Sequence, residues 1–217
     1  MSTPKRYLLL VVAIMIQSAG IALVVKSLLG TSPISSLPYV LSLISPFTFG
    51  QTTFAVNMVF VVFELLMLRR DFPTVFWLQI PVTILFGLCI DFFMHLFVIV
   101  PEVYPLQLAL CVLGTALVAL GVAGQGIADV LMLAGEGAVY VFAHKFHIDF
   151  GKVKVGNDVS LVVIAAIVSV LTMGTIEGIR EGTLISALLT GIIARFYLRH
   201  LSRIDAHGRI YLAPHRS

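Results

Sequence analysis

Charge is what this chain has least of. Lysine, arginine, aspartate and glutamate make up 12% of its 217 residues, about half the share found in an ordinary soluble domain. The net charge of +3 comes from short clusters and a basic tail rather than one cationic face, so nucleic acid is not an expected partner. Cysteine is nearly missing too. Cys89 and Cys111 both lie in apolar runs, which excludes a disulfide framework or a zinc spacing and leaves two small hydrophobes. The catalytic motifs His-Glu-x-x-His, Gly-x-Ser-x-Gly and the Walker loop are absent, so no enzyme, cofactor or metal site is expected. The string Gly121-Val-Ala-Gly-Gln-Gly is rich in glycine, but it sits inside an apolar run and not after a strand.

Apolar residues fill the space that charge leaves. They amount to 59% of the chain, with a mean hydropathy of +1.05, and such a composition makes the lipid bilayer the solvent. A spanning helix needs roughly 20 mainly apolar residues. Six segments qualify: about 7–28, 52–68, 74–99, 105–128, 157–174 and 182–199. The first resembles a signal peptide behind Lys5 and Arg6, but it runs on past Gly20 without a small-residue cleavage site and reads as a retained span. Two further segments, 33–45 and 135–147, are apolar but short, and open on Ser32-Pro33 and Gly135-Glu136-Gly137. They read as re-entrant or interfacial helices. If Lys5 and Arg6 are cytoplasmic, six spans put Arg69, Arg70, Lys145, Lys152, Lys154 and the tail arginines inside, whereas eight spans would turn Arg69 and Arg70 outward. The positive-inside rule therefore favours six spans, with both termini cytoplasmic.

The chain also repeats itself. At an offset of 101, Gly20 matches Gly121, Tyr39 matches Tyr140, Phe49-Gly50 matches Phe150-Gly151, and Asn57 falls on Asp158. At an offset of 104, Gln79 falls on Thr183, Gly87 on Gly191, Asp91 on Arg195, and Phe92-Phe93 on Phe196-Tyr197. Residues 1–217 thus read as one all-α transmembrane domain of two halves, about 7–99 and 105–199, followed by a basic tail, 200–217. Three spans per half insert the second half upside down, the arrangement of many secondary transporters.

The run from Gly20 to Pro33, the Phe49-Gly50-Gln-Thr-Thr that follows, and Glu181 to Gly191 are similar to the signatures of the YczE/YyaS/YitT-type bacterial membrane proteins. The resemblance covers most of the chain. It implies a multi-pass protein of the bacterial inner membrane, of a kind described as a transporter with no settled substrate. Where related sequences repeat a Leu-Gly-x-x-Pro pattern in the second half, this chain carries Leu133-Ala134-Gly135-Glu136-Gly137.

Ionisable and polar groups inside spans are costly and so become candidates for solute contact. Asp91 and Arg195, at equivalent positions, could pair across the two halves, as a structural ion pair or as a substrate anchor; Arg195 could also snorkel at a helix end. His95, one turn from Asp91, shares its helix face but lacks further ligands. Lys26 with Thr31, Ser32, Ser35 and Ser36 describes a helix start where amides and dipole could hold an anion, or simply a capped helix. Asp129 and Glu136 form its counterpart, as capping carboxylates or a proton or cation site. Asn57 and Asp158 read first as interhelical hydrogen-bonding groups, and Gln79 joins the candidates. Glu64, close to Arg69, is expected to reach the interface, and His144 and His147 to be solvated. Gly114, Gly121, Gly124 and Gly126 resemble a small-residue packing face. The expected function is a secondary carrier of a small polar or anionic metabolite, with a homo-oligomer allowed. The rivals are a substrate-binding subunit of a larger transport complex, and a scaffold that binds partners through its tail.

Overall fold

Backbone geometry sets the first break in the bundle. Helix α1 runs Thr3–Lys26 and ends where Leu28 and Gly30 take positive φ, 63° and 115°. Gly30 tolerates that conformation because it has no Cβ, and any side chain there would also strike Thr183 Oγ1 and the Arg180 amide. Pro33 then opens α2, Pro33–Ile44, as suits the first turn of a helix. A capping box made by Thr48 and Gln51 starts α3, Phe49–Leu68. A short 3-10 turn, Thr74–Leu78, leads into α4, Gln79–Leu96. The second series is α5, Tyr104–Ala128; α6, Ala134–Phe146; α7, Phe150–Met173; and α8, Glu181–Leu201. Beyond it Ser202–Ile204 pairs antiparallel with Ile210–Leu212. The computed structural model describes residues 3–69, 74–204 and 210–212, so Arg70, Asp71, Arg209 and Arg216 lie outside the described residues.

Helix α7 starts seven residues earlier than the expected 157, because Asp149 accepts the Lys152 amide and caps a polar first turn that hydropathy alone does not mark. Among the described residues, six helices are long and apolar enough to cross a membrane. With 12 and 13 residues, α2 and α6 reach only about 20 Å at about 1.5 Å per residue, short of a hydrocarbon core of about 30 Å. The protein is a multi-pass, predominantly helical membrane bundle, with six such helices among the described residues.

Close packing follows the glycines. Helices α1 and α5 form the most extensive contact and run antiparallel, with Gly20 against Gly114 and Val118, and Gly121 against Ala13 and Gln17. A Cβ on Gly124 would meet Ala13 on the same face, whereas one on Gly126 would come no closer than 3.6 Å to its nearest neighbour among the described residues, Leu198 of α8. A Cβ on Gly20 would lie 2.6 Å from the Val118 amide nitrogen, so backbone contact here depends on small residues. Gln125 Nε2 donates to Gln17 Oε1 inside this seam. On one side α4 packs on α1 and antiparallel to α3, with Gly50 and Gly87 backbone to backbone. On the other, α8 packs on α5, with Ser186 and Thr115 hydroxyls 2.8 Å apart. Helix α2 packs on α3 and α7, and α6 on α7 and α3.

Polar contacts identify the two ends. Arg6 pairs with Asp129 at 2.7 Å, joining the start of α1 to the end of α5, and Lys145 Nζ donates to the Met67 carbonyl at 2.6 Å. At the other end the Gly182 amide donates to the Leu29 carbonyl at 2.8 Å and Arg180 Nη1 to the Leu28 carbonyl at 3.1 Å. Between the ends, the outer faces expose Val59, Leu66, Leu88, Leu171 and Leu188, which is the surface that lipid requires.

Candidate functional site

At the α1–α2 junction the sequence places a cluster of hydroxyls, and the fold brings them together. Thr31, Ser32, Ser35 and Ser36 are all buried. Thr31 Oγ1 lies 3.0 Å from Ser36 Oγ and donates to the Gly178 carbonyl at 3.1 Å. The Thr31 amide donates to Thr183 Oγ1 at 3.2 Å, and Ser36 Oγ to the Ser32 carbonyl at 3.2 Å. Ser32 occupies the N-cap position of α2, yet its hydroxyl turns to Ser35 Oγ at 2.9 Å and caps no amide. These groups dock α2 onto the α7–α8 connection. Lys26 sits half-buried at the end of α1 and takes part in none of the ion pairs among the described residues.

The expected Asp91–Arg195 pair does not form. Asp91 accepts from Thr48 Oγ1 at 2.6 Å and from the Gly50 amide at 2.7 Å. Arg195 is exposed and donates to the Gly191 carbonyl of its own helix. The physical reason is proximity: the antiparallel α3–α4 crossing puts the Gly50 amide and the Thr48 hydroxyl, at the start of α3, against Asp91, and an anion is favoured at a helix N-terminus. Nor are Asn57 and Asp158 interhelical. Asn57 Nδ2 donates to the Thr53 carbonyl one turn back, and Asp158 pairs with Lys154 at 3.2 Å along α7. Glu136 is half-buried in the first turn of α6, within electrostatic reach of Lys154 and Asp158. Asp129 pairs with Arg6 across helices, while His144 and His147 are exposed.

The largest departure from the sequence reading is Glu64. It does not reach the interface but is 0% exposed, beside Gln79 at 1% and Thr83 at 0%. Gln79 Nε2 donates to Glu64 Oε1 at 3.5 Å and to the Met132 carbonyl at 3.3 Å. Gly137 of α6 lies against both: a Cβ there would collide with Glu64 Oε1 and come within 3.0 Å of Gln79 Nε2. Glutamate has two methylenes and cannot snorkel as lysine does, so once the helix phase turns it inward it stays inward. Of these residues only Gln79 is reached from the repeat. A cavity of about 580 Å³ opens nearby between α3, α6 and α7. Phe60, Phe63, Phe142, Lys152, Asn157 and Ser160 are among its lining residues, and none of the sequence-chosen candidates is. Its size falls in the range of small-molecule sites.

The model of a family of unknown function, DUF6198, matches residues 4–199. The chain belongs to that family. No curated protein and no solved structure matches this DUF6198 chain. The site therefore has to be read from its own geometry.

Proposed function

We propose that this DUF6198 protein is a secondary carrier of a small polar or anionic solute, built from two inverted halves of a bacterial inner-membrane protein. The observation that carries the reading is a pair of reciprocal contacts. Thr183 of α8 accepts the Thr31 amide in the α1–α2 connection, and Gln79 of α4 donates to the Met132 carbonyl in the α5–α6 connection. Thr31 and Met132 are 101 residues apart, and Gln79 and Thr183 are 104 apart, the two offsets of the sequence repeat. The helix pairs agree, since α1–α4 corresponds to α5–α8 and α2–α7 to α6–α3.

In this reading α2 and α6 are re-entrant segments entering from opposite sides, with Ile34 against Gly135 where their first turns meet. Broken helices at the midplane between inverted halves are where carriers of this kind bind solute. The α1–α2 junction, with Lys26 and the N-terminal end of the α2 dipole, suits an anionic group, and Gln79 with Glu136 marks its counterpart at the α5–α6 junction. The end carrying Arg6, Arg69, Lys145, Lys152, Lys154 and Arg195 faces the cytoplasm by the positive-inside rule. The resemblance of the Gly20–Pro33 and Glu181–Gly191 runs to YczE/YyaS/YitT-type proteins agrees with this assignment.

A metabolite screen by thermal shift, followed by uptake of the hit into proteoliposomes, tests the proposal, because a ligand that binds only the folded state raises its stability. Ser32→Ala, Ser35→Ala and Lys26→Ala should weaken binding of that hit more than they lower stability. Absence of uptake for every hit would overturn the reading. One observation favours a subunit of a larger complex instead: α3 and α4 pack closely, but their counterparts α7 and α8 are not among the closely packed pairs. A partner seated between α7 and α8 would co-purify from the membrane and be needed for uptake.

A further inference from the structure

We propose that Glu64, Gln79 and Thr83 form an oxygen-lined site for a sodium ion where α3 and α4 meet the first turn of α6. This goes beyond the carrier reading and does not rest on it. Each of the three residues is at least 99% buried, and each holds an oxygen with no hydrogen-bond partner among the described residues: Glu64 Oε2, Gln79 Oε1 and Thr83 Oγ1. Buried polar atoms in folded proteins are almost always paired, so three orphans on adjoining faces point to something bound.

The geometry says what kind of ligand. Gln79 Nε2 donates to two acceptors, Glu64 Oε1 and the Met132 carbonyl, which fixes the amide orientation and leaves its oxygen for another partner. Thr83 lies one turn further along the same face of α4, and its hydroxyl makes none of the back-bonds to a helix carbonyl that Thr52, Thr53 and Thr115 make. Thr83 falls between Gln79, which meets Glu64, and Gly87, which meets Gly50, so it lies on the face of α4 turned toward α3. Among the described residues no lysine, arginine or histidine pairs with Glu64, and a carboxylate buried without positive charge is strongly disfavoured. A single negative charge calls for a single positive one. Carboxylate, amide and hydroxyl oxygens are hard donors, suited to an alkali or alkaline-earth cation, and the lone carboxylate selects the monovalent class. A proton alone would satisfy Glu64 Oε2 and use one neighbour as acceptor, leaving the third oxygen unpartnered. Gly137 keeps the α6 backbone against the site, since any larger residue would displace Glu64.

The test uses the purified full-length protein in detergent at fixed pH and ionic strength, comparing unfolding midpoints in sodium, potassium and choline chloride. At about 100 mM, sodium should raise the midpoint by at least about 3 °C over choline, saturably, as mass action requires. Potassium should do less. Glu64→Gln, which keeps the shape and removes the charge, should abolish the sodium response. Thr83→Val should raise the half-saturating sodium concentration about tenfold, which corresponds to the loss of one ligand. If Glu64→Gln does not fold, radioactive sodium binding to wild type and to Thr83→Val decides the matter. Equal midpoints in all three salts, or a full sodium response in Glu64→Gln, would overturn the proposal. So would a midpoint that responds to acid but not to sodium, the behaviour of a proton site.

Discussion

Replacing Asp91 by alanine removes two acceptor contacts at once, the 2.6 Å bond from Thr48 and the 2.7 Å bond from the Gly50 amide. Hydrogen bonds to a charged group contribute about 1.5–3 kcal/mol each. Asp91 is only half-buried, so water takes back part of that, and the pair is worth about 2–3 kcal/mol after the discount. For a chain of this size the midpoint should fall by about 4–12 °C. The buried free thiol of Cys111, 0% exposed, offers the assay: a thiol-reactive dye labels it as the bundle opens, in a Cys89→Ser background. Asp91→Asn, which keeps one acceptor, should lose about half as much. A double-mutant cycle then separates the local contact from the expected cross-repeat pair. Asp91 and Thr48 should couple by about 1 kcal/mol or more, whereas Asp91 and Arg195 should be additive within about 0.5 kcal/mol. Coupling to Arg195 without coupling to Thr48, or an Asp91→Ala shift below about 2 °C, would refute the reasoning.

Gly121→Val should destabilise by about 3 kcal/mol or more, because its Cβ already meets Gln17 and the Ala13 carbonyl at 2.5 and 2.7 Å and overpacking at backbone contact cannot be relieved by rotamer changes. Gly156→Ala, with nothing within 4 Å of the added carbon, should be neutral or gain up to about 1 kcal/mol from helix propensity; the same dye assay reads both. Single cysteines at Lys145 and Glu177 in a cysteine-free protein should label from opposite sides of the membrane, and labelling of both from one side would break the six-span arrangement. Removing residues after about 203 should leave solute uptake intact, whereas a scaffold acting through its tail would lose function.

The spans were readable because insertion depends on hydropathy along one dimension, and the sequence carries that directly. The α1–α2 break was readable for the same local reason: Gly30 and Pro33 act within a few residues of where they sit. So was the packing face of α5 at Gly114, Gly121 and Gly124, since small residues at helical spacing imply close approach, although the glycines alone did not name α1 as the partner. Contacts between distant segments were not readable in the same way. Matching Asp91 to Arg195 by the repeat assumed that equivalent positions meet, whereas Asp91 finds nearer donors at the start of α3. Glu64 was misjudged from a neighbour in sequence, Arg69. Helix phase held the better signal: Gly50, Thr53, Asn57, Val61 and Glu64 recur every three or four residues and are all buried, which makes Glu64 the end of an inward stripe.

The α1–α2 and α5–α6 connections are each met by a polar side chain from a distant helix, and the two contacts differ in chemistry. Thr183 meets the α1–α2 connection with a hydroxyl that accepts two amides, from Thr31 and Arg180. Gln79 meets the α5–α6 connection with an amide that bonds one carbonyl and one carboxylate and still leaves oxygens over. A satisfied polar network holds one arrangement, and an unsatisfied one gains from a ligand. The first contact ties the start of α2 to the α7–α8 connection, while the second leaves α6 beside the proposed site, which a small cation would complete. An ion bound there would act on the packing of α6 against α3, because the Gly137 backbone of α6 lies against both Glu64 and Gln79.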